Sequence, residues 1–456
     1  MTPTTAATTP RTADIAAALQ GYDPQALHAD AVTAFLQRLV EPVTEVQRVP
    51  LPEALGRVLA EDVISPISVP PHDNSAMDGF AFDGAQLQPG QPLRLRCVGT
   101  ALAGTAWRAA VAAGECVKIM TGAVMPAGLD TVVPQEFTRV EGAQIELPAG
   151  VVQRGDNRRQ AGEDLMAGRP ALRQGERLTP AALGLLASLG LGQVTLRRRL
   201  RVAYFSTGDE ILSLGQPPRE GAVYDSNRYT VGGLLARLGV EVIDLGVVPD
   251  QPAALRAAFG QAAAQADAVI TSGGVSVGEA DHTKAMMREL GDVVFWRIAM
   301  RPGRPMAVGR IVTPAPELQV KSASSANTAN ANSYQNNSNS AILFGLPGNP
   351  VAVMVTFLAF VRPALLRMMG ARPEPPVWLR ARSSQAIAKK PGRTEYQRGV
   401  VSTQPDGQLT VRTTGNQGSG VLSSMVQANG LIVLGHAQGD VAVGDEVRVM
   451  MFEGAL

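Results

Sequence analysis

Three glycine-bearing turns, each set where a short apolar strand pattern gives way to a helix pattern, constrain this chain more than any other feature. The first is Ser206-Thr-Gly-Asp-Glu210, after apolar residues 202–205. The second, Thr271-Ser-Gly-Gly-Val-Ser-Val-Gly-Glu-Ala-Asp281, follows a strand pattern over 267–270 and precedes a helix pattern over 283–290. The third, Leu346-Pro-Gly-Asn-Pro350, joins a strand pattern over 342–344 to an apolar helix. Helix patterns over 227–238 and 252–265 alternate with further strand patterns over 240–248 and 293–300. Such alternation predicts a mostly parallel sheet, which binds ligands at the carboxyl ends of its strands. The three turns therefore meet at one edge. Glycine there permits φ > 0 and close approach of a ligand to the amides, and amides at a helix N-terminus favour an anion. A tight turn with a helix cap explains any one of them alone. Their convergence points to a phosphate-bearing ligand.

The remainder of the chain reads as additional domains, roughly two to four in all for 456 residues. The expected fold class is α/β plus β. A central, mostly parallel α/β domain covers 198–372, interrupted by a Ser/Asn/Ala-rich stretch over 314–340 expected to be disordered. Short β-rich runs between 93 and 147 predict a small inserted β domain over 66–156. After prolines 373–376 the pattern returns to pure β, a small barrel or sandwich over 373–456. Residues 25–65 and 157–197 form a discontinuous linker or dimerisation domain, with helices expected over 30–40, 52–60 and 179–189. Residues 1–24 read as a disordered tail.

Composition excludes several classes. A formal net charge of +1 offers no field for nucleic acid or a membrane surface. Cys97 and Cys116 lack metal or redox spacing and read as two buried free thiols, which suits a reducing cytoplasm. The N-terminus has no signal-peptide core. The longest apolar run, 351–361, stops at Arg362-Pro363, short of the ~18 residues that span a bilayer; it reads as a buried core helix.

The polar residues that stand out in loops are Asp78, Thr121, Asp164, Glu210, Asp250, Asp281, Arg297, Arg301, Arg304, Arg398 and Ser419. None of the four histidines sits in a nucleophile setting, and Walker and zinc spacings are absent. Carboxylates, arginines and amide cradles remain. That set suits a phosphate-bearing ligand with Mg²⁺, because carboxylates hold Mg²⁺ together with substrate phosphates and the arginine fork matches tetrahedral oxyanions.

Asp73-Asn-Ser-Ala-Met-Asp-Gly79, Thr207-Gly-Asp-Glu210, Ser272-Gly-Gly-Val-Ser-Val-Gly-Glu-Ala-Asp281 and Leu346-Pro-Gly-Asn-Pro350, in that order, resemble the molybdopterin molybdenumtransferase family. The resemblance runs from about Asp30 to the C-terminus. It implies a Mg²⁺-dependent enzyme that takes adenylylated molybdopterin and molybdate, cleaves the pyrophosphate, releases AMP and leaves molybdenum on the dithiolene. It implies an elongated homodimer whose site lies between the α/β domain of one subunit and the inserted β domain of the other. It also implies dealings with a molybdopterin adenylyltransferase and with proteins that mature molybdoenzymes.

By the same resemblance, Asp78, Glu210, Asp250 and Asp281 carry catalysis, the last three around pyrophosphate and metal. Thr121, Asp164, Thr207, Gly208, Asp209, Ser272, Gly273, Gly274, Ser276, Gly278, Arg297, Arg301, Arg304, Pro347, Gly348, Asn349, Pro350, Arg398 and Ser419 match substrate-facing positions. Arg297 and Arg301 stand where lysine is usual, and Ala352 where serine is common. Two other readings stay open: a non-catalytic molybdopterin-binding scaffold, and the adenylyltransferase itself, whose single α/β domain shares the glycine-loop and aspartate pattern.

Overall fold

The computed structural model describes residues 11–275, 282–312, 340–374 and 377–452. The stretches 276–281 and 313–339 therefore lie outside the described residues, and most of the expected disordered insertion with them; Ser340 begins a strand. The chain divides into two compact units. One comprises Met1–Gln47, Gly56–Val58 and Arg197–Leu456; the other comprises Arg48–Leu55 and Leu59–Leu196.

The first unit is built on a six-stranded sheet in the order Glu241–Val248, Arg201–Thr207, Ala268–Ser272, Ser340–Leu346, Pro305–Val312, Gly291–Arg297. The first four strands are parallel, and the last two join antiparallel. Arg201–Thr207 and Ala268–Ser272 are almost wholly buried, as expected of central strands covered on both faces. Ser226–Leu238 and the helix starting at Pro350 cover one face. Pro252–Gln265 and His282–Leu290 cover the other, with Phe205 packed edge-on to Phe259. Val312 and Ser340, which flank the Ser/Asn-rich stretch, are register partners.

The apolar helix does not stop at Arg362-Pro363. It runs Pro350–Met368, 19 residues, with an 18-residue window at mean hydropathy 1.8 that is long and apolar enough to cross a membrane, and 67% of that window is buried. A widened turn, Phe357–Val361, accommodates Pro363, which has no N–H to give the preceding carbonyls. The helix is a core element, as the sequence predicts, but longer than the apolar run alone suggests.

The chain start is also more ordered than its composition suggests. Thr12–Ala17 is a helix, and Thr12 donates to the Asp292 carboxylate through both its amide and its hydroxyl, at 2.7 and 2.5 Å. Trp296 Nε1 donates to Tyr22 Oη at 2.7 Å. These contacts are almost 300 residues apart in sequence, which is why local composition did not reveal them. Ala29–Leu39 buries Val32, Phe35, Leu36 and Leu39 in the core that also holds the apolar helix, so this segment packs with the α/β unit.

The C-terminal β domain is a closed barrel. Thr394–Thr403, Leu409–Thr413, Leu379–Ser383, Glu446–Met451 and Gly430–Leu434 pair in that order, and the last pairs again with the first. The two-residue strand Met300–Arg301 adds in parallel to Thr394 and Glu395. This ties the loop beyond Gly291–Arg297 to the barrel.

In the second unit, a six-stranded sheet runs Thr131–Pro134, Gly79–Phe82, Glu115–Ile119, Leu93–Ala101, Gln144–Leu147, Arg139–Glu141, with an apolar cluster on each face. Pro180–Ser188, capped by Thr179 Oγ1, anchors a third cluster around Leu186 and Leu196. The helix expected over 52–60 is only one 3₁₀ turn, Leu51–Glu53. Gly56, at φ +73°, takes a conformation no α-helix can continue through.

Candidate functional site

The carboxyl ends of Arg201–Thr207, Ala268–Ser272 and Ser340–Leu346 lie side by side, with Ser206 opposite Ser272 and Ser272 opposite Leu346. The turns that follow line one cleft of about 910 Å³. Gly273 is there by necessity: its φ is +94°, and a Cβ would sit 2.3 Å from the Thr207 carbonyl oxygen. Gly208 is the other case, since a Cβ would meet the Glu210 carboxylate at 2.6 and 2.8 Å. Glu210 thus folds back over its own turn and presents its carboxylate to the cleft. Asp250 enters from the end of Glu241–Val248, where its Oδ1 accepts from Thr283 Oγ1 at 3.1 Å. The buried Thr207 hydroxyl has no partner among the described residues.

The cleft also holds cations. Arg301 and Arg304 are exposed in the cleft and have no carboxylate partner among the described residues. Arg398, on barrel strand Thr394–Thr403, is 1% exposed. Its Nε donates to Ser424 Oγ at 2.9 Å and its Nη2 to the carbonyls of Gly418 and Asn416 at 2.9 and 3.3 Å. Burial, and then the charge of Arg301, lower its pKa to about 10, so it stays a cation at neutral pH. A small cavity of about 20 Å³ lies against Arg301, Glu395, Arg398 and Gln417.

The Pro347–Asn349 turn is held from two sides. Asn227 Nδ2 donates to the Gly348 carbonyl at 2.7 Å, and the Val351 amide donates to the Ser419 carbonyl at 3.1 Å. Asn227 is 7% exposed and its Oδ1 has no partner among the described residues. The positive end of helix Pro350–Met368 therefore opens on the cleft beside Asn349 and Ala352.

Of the residues singled out in sequence, Thr207, Gly208, Glu210, Asp250, Gly273, Gly274, Arg301, Arg304, Pro347, Gly348, Asn349 and Ser419 line this cleft. Ser276, Gly278 and Asp281 lie outside the described residues. Ser272 does not face the cleft: its hydroxyl is buried in a triangle with Tyr204 Oη at 2.7 Å and Ser206 Oγ at 3.1 Å. Pro350 is the first residue of its helix rather than a lining residue, Arg297 lies outside the lining too, and Arg398 lines only the small adjoining cavity. The Asp209 Oδ1 accepts from the Asp250 amide at 3.4 Å.

Asp78, Thr121 and Asp164 belong to the other unit. There the Thr121 amide and hydroxyl donate to Asp78 Oδ1 at 2.6 and 2.8 Å, which holds the Asp78 carboxyl below its ordinary range. The Asp164 amide donates to the Val69 carbonyl at 3.0 Å.

The comparisons with known proteins fit this architecture. The description "MoeA N-terminal region (domain I and II)" matches residues 27–190, "Probable molybdopterin binding domain" matches 203–367, and "MoeA C-terminal region (domain IV)" matches 380–452. A molybdopterin molybdenumtransferase of Haemophilus influenzae is 41% identical over 431 residues, 93% of this chain and 98% of the relative. The chain belongs to the molybdopterin molybdenumtransferase family. A relative of the same name from Nostoc is 36% identical over 407 residues, 87% of this chain and 86% of its own. A crystal structure of the molybdopterin biosynthesis moeA protein of Pyrococcus horikoshii matches at TM-score 0.75 and 26% identity, covering 94% of this chain and 100% of that one. The molybdopterin molybdenumtransferases are transferases of molybdenum cofactor biosynthesis, and the cleft lies largely within the part that matches the molybdopterin-binding description.

Val275, Pro302, Gly303, Pro305, Gln417 and Gly418 also line the cleft but were not singled out in the sequence, and Ala352, noted there only as a departure from the family's usual serine, lines it as well. Gln417 and Gly418 belong to the glycine-rich segment 414–420, whose composition is a usable signal. Asn227 was missed as well; it sits in an Asp-Ser-Asn start of helix, which reads as capping chemistry.

Among the described residues, no three His, Cys, Asp or Glu side chains come together as a metal site. Glu210 and Asp250 do line one cleft, and two carboxylates with substrate phosphates and waters are a usual Mg²⁺ environment.

Proposed function

We propose that this chain inserts molybdenum into molybdopterin: it takes adenylylated molybdopterin and molybdate and yields the molybdenum cofactor and AMP. The observation that carries this reading is the pairing, in one cleft, of two carboxylates with two arginines that have no carboxylate partner among the described residues. A site that must bind a diphosphate and a tetrahedral oxyanion together needs both signs of charge and narrow glycine turns.

Glu210 and Asp250, with Asp281 from outside the described residues, would hold Mg²⁺, whose contribution there is to neutralise the diphosphate. The Gly273 and Gly274 turn lets phosphate oxygens approach the backbone, and the N-terminus of Pro350–Met368 adds a favourable dipole. Arg301 and Arg398, the latter fixed by Ser424 and two carbonyls, suit molybdate; Arg304 is free to follow a phosphate. Asp78, pinned by Thr121, is the acid of the other unit.

We further propose a homodimer in which that unit of one subunit completes the cleft of the other, at work in the cytoplasm, where the free thiols Cys97 and Cys116 are suited to a reducing environment. Mixed dimers of Asp78→Asn and Glu210→Gln chains would then recover part of the activity that each variant alone lacks. No recovery in verified mixed dimers rules out a shared site.

The direct test is incubation with adenylylated molybdopterin, molybdate and Mg²⁺, followed by chromatography of nucleotides. AMP released in step with molybdenum bound is the expected result. Consumption of ATP instead would assign the adenylyltransferase reaction, and binding without AMP release would leave a scaffold.

A further inference from the structure

The only two cysteines of the chain, Cys97 and Cys116, are separated by 18 residues in sequence and read there as unrelated thiols. The fold makes them neighbours. Leu93–Ala101 and Glu115–Ile119 pair in parallel, and Cys97 and Cys116 are register partners. Partners on adjacent strands are about 4.8 Å apart, inside the roughly 4.4–6.8 Å window between Cα atoms that a disulfide bridges. The register slips between Cys97 and Thr100, so the strand departs from regular pairing right beside Cys97.

The two thiols differ in environment. Cys116 is 0% exposed, and burial first, then its contact with the Cys97 sulfur, pushes its thiol up to about 12. Cys97 is only half-buried and donates to the Gly99 carbonyl at 3.4 Å. One thiol can be reached by a small oxidant, and the other lies beside it in the same apolar cluster.

We propose that Cys97 and Cys116 form a reversible intramolecular disulfide when the chain meets a hydroperoxide. The sulfur of the Cys97 thiolate attacks a peroxide oxygen; the O–O bond breaks, and hydroxide leaves and takes up a proton, which gives a sulfenic acid. The Cys116 sulfur then attacks the sulfenic sulfur; the S–O bond breaks, and water leaves with the Cys116 proton. Two thiols and one hydrogen peroxide become one disulfide and two waters. The buried, protonated state of Cys116 makes the second step slow, so the bond records sustained oxidation rather than a brief pulse.

The site carries its own reporter. The Trp107 ring packs over Gly99, where a Cβ would fall 2.2 Å from it, two residues along the same strand from Cys97. Disulfide formation at Cys97 therefore quenches Trp107 fluorescence.

The experiment exposes the full chain to hydrogen peroxide, then unfolds it, alkylates the free thiols and reads intact mass and a non-reducing gel. The expected result is loss of both alkylatable thiols, a mass lower by two hydrogens, a monomeric band, reversal by dithiothreitol, and a Trp quench that Trp107→Phe abolishes. In Cys97→Ser the buried Cys116 stays alkylatable. In Cys116→Ser, or Cys116→Ala should the core reject serine, Cys97 stops at a sulfenic acid trapped by dimedone. The proposal is overturned if the wild-type chain gains oxygen on Cys97 while Cys116 still alkylates, or if the disulfide joins two chains.

Discussion

The two walls of the cleft solve the same problem in different ways. The α/β wall presents charge on short, exposed turns: Glu210 folds over Gly208, and Asp250 leans on Thr283. The barrel side holds charge inside the protein: Arg398 lines the small adjoining cavity rather than the cleft itself, is 1% exposed, and has its fork held by one hydroxyl and two carbonyls. The difference separates two costs. A carboxylate on a turn can be removed with little loss of fold, whereas a buried guanidinium cannot, because its acceptors are left without a donor. Function and stability should thus come apart on one wall and move together on the other.

The sharpest test is Arg398→Ala. It strands Ser424 and the Asn416 and Gly418 carbonyls, so unfolding in urea should show a loss on the order of 3 kcal/mol, with activity falling as well. A stable, inactive Arg398→Ala would mean that the two walls do not differ in this way. Glu210→Gln should do the opposite, cutting AMP release by on the order of 10²-fold with the melting temperature nearly unchanged. A large drop in that temperature would show that the carboxylate holds the Gly208 turn.

Smaller effects refine the picture. Asn227→Ala frees the Gly348 carbonyl, and steady-state kinetics should show kcat/KM down about tenfold, the equivalent of one hydrogen bond of ~1.4 kcal/mol. An unchanged kcat/KM would mean that the turn is held from the Ser419 side alone. Ser272→Ala should cost about 1 kcal/mol of stability by opening the Tyr204–Ser206–Ser272 triangle, and leave substrate affinity untouched. Weaker binding of adenylylated molybdopterin by this variant would return Ser272 to the ligand.

The sequence made the first wall readable and the second only in part. A strand followed by Thr207-Gly-Asp-Glu210 or Leu346-Pro-Gly-Asn-Pro350 is a local pattern, because period, turn chemistry and helix start sit within a dozen residues. Which side a hydroxyl faces is not local. Ser272 looked like a loop residue beside two glycines, yet its register with Ser206 turns it into the core. The Cys97–Cys116 pairing and the closure of the barrel through Thr394–Thr403 and Gly430–Leu434 are likewise set by register between distant segments. The order at residues 11–24 depends on Asp292 and Trp296, far along the chain.

Helix Pro350–Met368 carries a consequence for how the chain is made. With an 18-residue window at mean hydropathy 1.8, the nascent segment resembles a membrane span as it leaves the ribosome. Most of what hides it is already synthesised: all six strands of the sheet precede it, and so does Ala29–Leu39, while Met425, Leu431 and Phe452 of the same core follow. The Val40 carbonyl accepts from Arg367 Nε at 3.1 Å, and the Val43 amide donates to the Met368 carbonyl at 2.8 Å, so the earliest part of the core grips the far end of the helix. Synthesis from the N-terminus thus delivers the most apolar segment onto a prepared surface. A circular permutant that began at this helix would lose that order and expose the helix to insertion machinery and aggregation before its partners exist.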